Sequence, residues 1–215
     1  MVDPAARGRG IGTALLEAAL PLCRERDHDP VLLIVPRGSA AGQAFAHRHR
    51  GRLDHSEHVM EMLDAPVGVP ADPRVVLRPA TRADLPAVLD LLELGFGWRP
   101  SGLEDESWVL SADPQGQRDR AVRLVVEQDG QVIGTVRTAD DPRESDAVAI
   151  HGFVIRPDRR GRGIGRDVLS RLCSAARDAG ARRIRLEVAV DNDRALALYT
   201  SIGFTTVTTE DYYAL

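Results

Sequence analysis

The hexapeptide Arg160-Gly-Arg-Gly-Ile-Gly165 occurs a second time, residue for residue, at Arg7–Gly12. Each copy begins three residues after a proline and runs into an apolar, helix-like stretch. Six identical residues in matching contexts indicate two related halves in one chain. A glycine-rich turn that opens a helix can direct backbone N–H groups at a phosphate, and the neighbouring arginines add positive charge. The expected ligand is therefore anionic.

Length and composition predict an ordinary globular protein. The chain has 215 residues, of which 43% are hydrophobic, enough for one large domain or two modest ones. Its net charge of −4 gives no general attraction to nucleic acid or to an anionic membrane. Cys23 and Cys173 lie in helix-like patterns, which favours buried thiols over a disulfide. No apolar run reaches bilayer length and the N-terminus has no signal-peptide pattern, so we expect a cytoplasmic protein.

The order of predicted elements divides the chain at residues 65–73, which hold three prolines and one glycine. Residues 1–64 form the first half and residues 74–215 the second. In the second half we predict a strand, a helix capped by Thr81, and a hairpin around an Asp-Gly turn at 129–130. A strand then leads into the glycine turn, a helix and a strand follow, and Asp191 and Asn192 can cap a short helix after them. The last strand, from 205 to 209, is predicted to return at 212–215. The pattern predicts a mixed sheet with helices against it, an α/β fold.

The residues after the second glycine turn carry a family resemblance. Downstream of Arg159–Gly165 stand Leu186-Glu-Val188, Asn192, Tyr199 and Ile202-Gly-Phe204. In this order they resemble the GNAT superfamily of acyl-CoA N-acyltransferases over about Arg74–Leu215. The resemblance implies the GNAT fold, a mixed, mostly antiparallel α/β (α+β) sheet with central splayed parallel strands and flanking helices. The glutamate, asparagine and tyrosine pattern is similar to that of ribosomal-protein alanine N-acetyltransferases. Residues 1–64 resemble the same family from its middle onward, as in a tandem protein with a truncated, non-catalytic first half.

The resemblance also implies a binding site for acetyl-CoA. Backbone groups on the strand before the turn would meet the pantetheine arm, and the turn with its flanking arginines would hold the diphosphate. The implied coenzyme-binding residues are Phe153, Val154, Ile155, Arg160, Gly161, Arg162, Gly163, Ile164, Gly165, Arg166 and Asn192. A dinucleotide-binding fingerprint would require glycine at position 166, and a Walker loop would require Gly-Lys-Ser/Thr, which is missing.

Three residues are candidates for proton transfer. By resemblance, Glu187 would act as the base and Tyr199 as the acid. His151 is a second candidate base. The unperturbed pKa of histidine, near 6.5, suits proton transfer, and the two-residue period of a strand places the His151 side chain on the same side as Phe153 and Ile155. The alternatives are a solvated strand carboxylate for Glu187, a half-buried packing aromatic for Tyr199, and a core or rim histidine for His151. Whether Glu187 or His151 is the base stays open.

The first half lacks these groups. Placing Gly51-Arg52 over Gly203-Phe204, and Ala41–Phe45 over Ala195–Tyr199, puts Phe45 at the tyrosine position and Leu33 at the glutamate position. We therefore expect a structural half, although its turn could still bind coenzyme. Its open sheet edge predicts either docking within the chain or a homodimer. Four histidines between residues 47 and 58 lack the flanking pattern of a metal site, so no metal is expected.

These observations predict an acetyl-CoA-dependent N-acetyltransferase whose partner is an amine acceptor, a small molecule or a peptide. The alternative is a non-catalytic acyl-CoA sensor. Nucleic acid and membranes are not expected partners, since the clustered arginines surround the turn and no aromatic stacking platform accompanies them. The acceptor cleft is expected at the 95–102 loop and the final hairpin with Tyr212 and Tyr213, and the sequence does not identify the acceptor.

Overall fold

The computed structural model describes residues 2–25, 30–64, 66, 68, 72–97, 121–141, 144 and 146–215. These residues form five α-helices and eight strands. The helices are α1 (Ile11–Arg24), α2 (Ala40–Arg48), α3 (Leu85–Phe96), α4 (Ile164–Asp178) and α5 (Asp193–Ile202). The strands are β1 (Leu32–Pro36), β2 (Arg52–Met62), β3 (Val75–Pro79), β4 (Val122–Gln128), β5 (Gln131–Asp140), β6 (Ala147–Ile155), β7 (Arg183–Ala189) and β8 (Thr205–Ala214).

The chain contains two compact units. One unit comprises Met1–Glu57 with Thr208–Leu215, and the other comprises His58–Val207. The strands β2 and β8 each contribute residues to both units, so the units divide the chain at other positions than the predicted 1–64, 65–73 and 74–215. That division by sequence stays a prediction.

In the second unit the strand order is β2-β7-β6-β5-β4-β3. The neighbours from β3 to β6 pair antiparallel, and β6 and β7 pair parallel. This mixed, mostly antiparallel sheet confirms the predicted fold. The predicted hairpin is also confirmed, because Gln128 pairs with Gln131 and both turn residues, Asp129 and Gly130, have positive φ.

Helices cover both faces of this sheet. On one face Val88 and Leu92 of α3 pack on Val125 of β4. On the other face α4 and α5 pack in a larger cluster that includes Leu169 and Phe204. The helix predicted after Thr81 is confirmed, with a capping box between Thr81 and Asp84. It ends at Phe96, followed by Gly97 in the left-handed conformation, and the rest of the predicted acceptor loop lies outside the described residues.

In the first unit the strand order is β1-β8-β2, with β1 antiparallel to β8. The predicted return of the last strand is wrong, since β8 runs from Thr205 to Ala214 without a turn. No glycine, proline or asparagine interrupts this segment, and Asp211, which lies mid-strand, is held by Arg37 at 2.8 Å and by Ser56 at 2.7 Å. The strand therefore continues through this charged residue and pairs with β1.

The histidines of the first unit have separate partners. His47 packs edge-on against Tyr213, His49 lies 3.2 Å from the Thr13 hydroxyl, and His55 stacks on Tyr212. Among the described residues no group of three or more potential metal ligands is found.

Candidate active site

The strands β6 and β7 separate partway along their length. Their parallel pairing runs from Ala147 opposite Arg183 to Ile150 opposite Leu186, and these fully described strands make no later pair although they continue to Ile155 and Ala189. A gap therefore opens between residues 151–155 and residues 187–189. The resemblance predicted such a splayed pair.

A β-bulge in β6 accompanies the separation. The pairing of β5 with β6 shifts register between Thr135 and Arg137, and Gly152 has a φ of 56°, in the left-handed region. Glycine adopts this conformation without the steric cost that a β-carbon would add. The sequence signal for the bulge, a glycine inside an apolar strand, was present and was missed.

An arginine network holds the paired end of the two strands. Arg185 of β7 donates hydrogen bonds to Glu61 at 2.6 Å, to Asp141 at 2.9 Å and to Glu144 at 3.0 Å. Burial acts to lower the pKa of Arg185, but the hydrogen bonds to the three carboxylates outweigh it and raise this pKa overall. The guanidinium thus ties β7 to β2 and to the end of β5, which fixes where the strands begin to diverge. Sequence reasoning did not find this network, because its members are far apart in the chain.

The bulge also changes which face His151 occupies. Ile150 and Phe153 both belong to the cluster under α4 and α5, although they are three residues apart. Regular alternation would place them on opposite faces, so His151 and Gly152 together occupy the α3 face. A β-carbon placed on Gly152 would lie 3.6 Å from Leu92 of α3. The prediction that His151 shares a side with Phe153 and Ile155 is therefore wrong.

Glu187 lies on the same face as His151. Its neighbours Leu186 and Val188 belong to the cluster under α4, whereas Glu187 is exposed on the opposite side of β7. Ile150 and Leu186 are the last paired residues of β6 and β7, so His151 and Glu187 are the next residues on the two diverging strands. Both candidate bases therefore stand at the mouth of the gap, on the α3 face.

The glycine turn connects β6 to α4. It lies at the gap on the opposite face of the sheet from His151 and Glu187. Gly161 and Gly163 have φ of 76° and 80°, and a β-carbon on either would meet no heavy atom within 4 Å. Gly163 caps α4 without a side-chain hydrogen bond, so the first N–H groups of the helix are available to a ligand. Arg162 and Arg166 are exposed, and Arg160 donates from Nε to the carbonyl of Ile155 at 2.7 Å. An open cradle with backbone donors and arginines fits a diphosphate.

Three elements meet beneath this turn. A β-carbon on Gly165 would lie 3.3 Å from Leu198 of α5 and 3.7 Å from the ring of Phe153. Ile164 is buried with Ile155 in an adjoining cluster. Glycine at 165 thus permits the close approach of α4 to α5, and this contact positions the next residue of α5, Tyr199.

Tyr199 is buried in the same cluster as Phe153 and packs edge-on against Phe204, with ring centroids 6.1 Å apart. The residue is 8% exposed, and burial raises the pKa of its phenol to about 12. The phenol is therefore protonated at neutral pH.

The backbone geometry bears on two predicted parts of the coenzyme site, the strand residues 153–155 and Asn192. The carbonyl of Val154 points at β5, 2.6 Å from a β-carbon placed on Gly134, whereas the carbonyl of Ile155 accepts from Arg160. Since strand residues alternate the direction of their backbone groups, Phe153 and Ile155 face the gap and Val154 does not. Asn192 is confirmed as the cap of α5, accepting from the Ala195 N–H at 3.1 Å. Its contact with coenzyme stays a prediction.

The first unit repeats the turn but lacks the candidate catalytic side chains. Ser39 caps α2 as Asn192 caps α5. A β-carbon placed on Gly12 would lie 3.3 Å from Phe45, and a β-carbon placed on Gly165 would lie 3.3 Å from Leu198. Position i of the first half therefore matches position i + 153. The predicted overlay was one residue off at each of its anchors, since it paired Gly51 with Gly203 and Phe45 with Tyr199, whereas the left-handed residue matching Gly203 is Arg50. The tyrosine and glutamate positions are occupied by Ala46 and Ile34, not by Phe45 and Leu33.

Comparison with known proteins identifies the family. The profile of the acetyltransferase (GNAT) family matches residues 1–51 and 85–204. The chain belongs to the GNAT family. It is 30% identical to a mycothiol acetyltransferase of Rhodococcus jostii, covering 99% of this chain and 72% of that protein. A mycothiol acetyltransferase of Beutenbergia cavernae is 29% identical over 100% of this chain and 75% of that protein.

Solved structures share the fold. A GCN5-related N-acetyltransferase from Sphaerobacter thermophilus has a TM-score of 0.73 at 21% identity, covering 99% of this chain and 70% of that chain. A tandem GNAT protein from the clavulanic acid biosynthesis pathway has a TM-score of 0.72 at 20% identity, covering 100% of this chain and 72% of that chain. Within the described part of the chain, no helix is long and apolar enough to cross a bilayer.

Proposed function

We propose that the protein transfers the acetyl group of acetyl-CoA to a primary amine, using a site in the second unit. The observation that carries this proposal is the gap between β6 and β7. On its α3 face stand His151 and Glu187, two candidate bases. On its other face lie the open glycine turn and the buried phenol of Tyr199. An acyl donor held by the turn would extend from one face, and an amine would approach from the other.

The chemistry is a direct attack. The neutral amine nitrogen forms a bond to the thioester carbonyl carbon, the carbon–sulfur bond breaks, and the products are an amide and the free thiol of CoA. A backbone N–H of Phe153 or Ile155 would donate to the oxygen as negative charge develops, which in other oxyanion holes stabilises the transition state by about 3–4 kcal/mol. Glu187 or His151 would take the proton that the amine loses.

The role of Tyr199 follows from its pKa of about 12. Full proton transfer from such a phenol to a thiolate with a pKa of about 8.5 is uphill by about 5 kcal/mol. Tyr199 therefore acts as a hydrogen-bond donor to the departing sulfur, and the proton that neutralises the thiolate comes ultimately from the amine. The base is needed less for an α-amine, about 10% of which is neutral at pH 7, than for a lysine side chain, for which the fraction is below about 0.1%.

The relatives favour a small acceptor. Both are named for mycothiol, a small molecule, and the similarity extends over nearly the whole chain. We therefore place a small-molecule amine ahead of the peptide α-amine that the ribosomal-protein resemblance suggested. The first unit, with Ala46 and Ile34 at the tyrosine and glutamate positions, has no part in the chemistry.

The proposal is tested by following release of CoA thiol from acetyl-CoA over a panel of small amines and short peptides. We expect turnover that requires the amine and that falls in Tyr199→Phe and in Glu187→Gln. Equal rates for the wild type and the double variant would refute the mechanism. Tight coenzyme binding without turnover on any amine would instead establish the acyl-CoA sensor.

A further inference from the structure

A row of basic side chains crosses the α3 face of the second unit beside the gap. Arg123 of β4 is the register partner of Arg137 of β5, which in turn is the partner of His151 of β6. Directly opposed residues in an antiparallel sheet project from the same face, with side chains about 5 Å apart. The three residues therefore form a continuous line that ends at the mouth of the gap.

Arg123 reaches along this line toward the bulge. The residue is 3% exposed, and its Nη1 lies 3.8 Å from a β-carbon placed on Gly152. Its guanidinium thus crosses the width of β5 and approaches the backbone where β6 leaves β7. Burial lowers the pKa of Arg123 to about 10, and the charge of Arg137 lowers it further in the same direction. Arg123 therefore remains a cation at neutral pH.

In the two neighbouring rows on this face, the residues of β4, β5 and β6 are uncharged. On one side lie Val125, Thr135 and Val154, and on the other lie Ala139 and Ala149. The arginines that extend those rows, Arg78 of β3 and Arg185 of β7, are each paired with carboxylates. The row that meets the gap instead places three basic residues side by side. The opposed pair of Arg123 and Arg137 is unfavourable for folding, because like charges directly opposite each other destabilise a sheet. Arg137 is half-buried and His151 is exposed, so the end of the row nearest the gap is open to a ligand.

Negative charge lies on the other side of the same gap. Glu187 projects from β7 on the α3 face, facing the end of the basic row. Arg137 on β5 and Glu187 on β7 are two strands apart, so a molecule at this mouth would meet a carboxylate and a guanidinium whose backbone positions are at least about 10 Å apart. An amine that also carries an anionic group matches this polarity, with the ammonium beside Glu187 and the anion on the arginines.

We propose that the acceptor carries a carboxylate, which Arg137 binds with Arg123 behind it, so that its amine is held at the mouth between His151 and Glu187. This inference rests on the proposed function, and it names the class of acceptor that the site takes. Arg137 is then a specificity residue, and Arg123 supplies a second positive charge behind it.

The test compares matched acceptors in the full chain. Glycylglycine and glycylglycinamide differ at the carboxyl end alone, and kcat/KM is expressed per neutral amine so that their different amine pKa values cancel. We expect the wild type to prefer glycylglycine by at least about tenfold, which corresponds to about 1.4 kcal/mol. In Arg137→Gln this ratio should fall to near one, and in Arg137→Lys it should be partly retained. Arg182→Gln, which removes an exposed arginine away from the gap, should keep the wild-type ratio.

A binding measurement keeps the inference testable without turnover. N-acetylglycylglycine is titrated into protein saturated with CoA, and its Kd should rise about tenfold in Arg137→Gln but not in Arg182→Gln. A wild type that treats acid and amide alike, or an Arg137→Gln variant with the wild-type ratio and Kd, would overturn the inference while leaving acetyl transfer intact. Absence of turnover on every amine, with carboxylate binding still dependent on Arg137, would overturn the proposed function and leave the anion site standing.

Discussion

The two copies of the glycine turn have the same backbone and different surroundings. Gly8 and Gly10 have φ of 76°, as Gly161 does, and each turn follows a short 3-10 helix that begins at a proline. Even the closing hydrogen bond is repeated, since Arg7 donates from Nε to the carbonyl five residues before it, as Arg160 does.

The helices that follow the two turns differ in burial. Helix α4 buries six residues, including Val168, Leu169 and Cys173, whereas none of the side chains described for α1 is buried. In the second unit the turn stands beside separated strands, a phenol and a carboxylate; in the first, alanine and isoleucine occupy those positions. The turn alone is thus a local structure that six residues encode, and a catalytic site requires the strands and helices around it.

Among the variants that compare the two units, Tyr199→Phe is expected to have the largest effect on activity. Loss of the hydrogen bond to the departing sulfur should lower kcat about 100-fold, as loss of one donor to developing negative charge does in other enzymes, and should leave the KM for acetyl-CoA nearly unchanged. Steady-state thiol release measures this. The matched control is Tyr213→Phe, because Tyr213, which the sequence suggested for the acceptor cleft, is instead buried with Val35 and Ala46 in the core of the first unit. Similar losses in both variants would mean that Tyr199 is only a packing residue.

A smaller effect is expected from Glu187→Gln, and it depends on the acceptor. We expect about a tenfold loss for an α-amine and a larger loss for an amine of pKa near 10, because less of the latter is neutral at pH 7. The pH dependence of kcat/KM for the two acceptors measures it. His151→Asn serves as the comparison: if it removes the acidic limb of the profile while Glu187→Gln does not, His151 is the base.

The turns themselves are compared by Gly163→Ala and Gly10→Ala. Both replace a helix-capping glycine with left-handed φ, so each should cost about 1–2 kcal/mol of stability. Only Gly163→Ala places a methyl group in the proposed diphosphate cradle, and we expect it to raise the KM for acetyl-CoA about tenfold. Equal increases in both variants would show that strain, or a second coenzyme site in the first unit, determines binding.

The smallest effect concerns alkaline stability. Burial raises the pKa of Tyr199 in the folded protein to about 12. Below pH 10 the phenol is neutral in both the folded and the unfolded protein, so its contribution to stability is complete. As the pH rises from 10 toward 12, the phenol ionises in the unfolded protein first, and this contribution is lost. Between pH 7 and pH 10.5 the wild type should lose about 1 kcal/mol relative to Tyr199→Phe, measured by urea unfolding at both pH values. Parallel losses in the two proteins would show that the phenol ionises normally in the folded state.

Much of the fold was predictable because its signals are local. The Asp129-Gly130 turn, the Thr81 and Asn192 caps and the glycine turn each depend on residues within a few positions of one another. Where prediction failed, the cause was an interaction across the chain or a departure from regular geometry. Asp211 reads as a turn residue until Arg37 and Ser56 hold it in a strand.

The sequence by itself determined the repeated turn, the family and the residues that could carry the chemistry, since spacing and residue type are sufficient for these. The tertiary structure decided which of them share a face. The bulge at Gly152 moved His151 away from Phe153 and toward Glu187, and strand pairing aligned Arg123 with Arg137 across the sheet. The reason is physical: a regular period predicts the direction of a side chain only while the strand is regular, and register between strands is set by packing that no single segment contains.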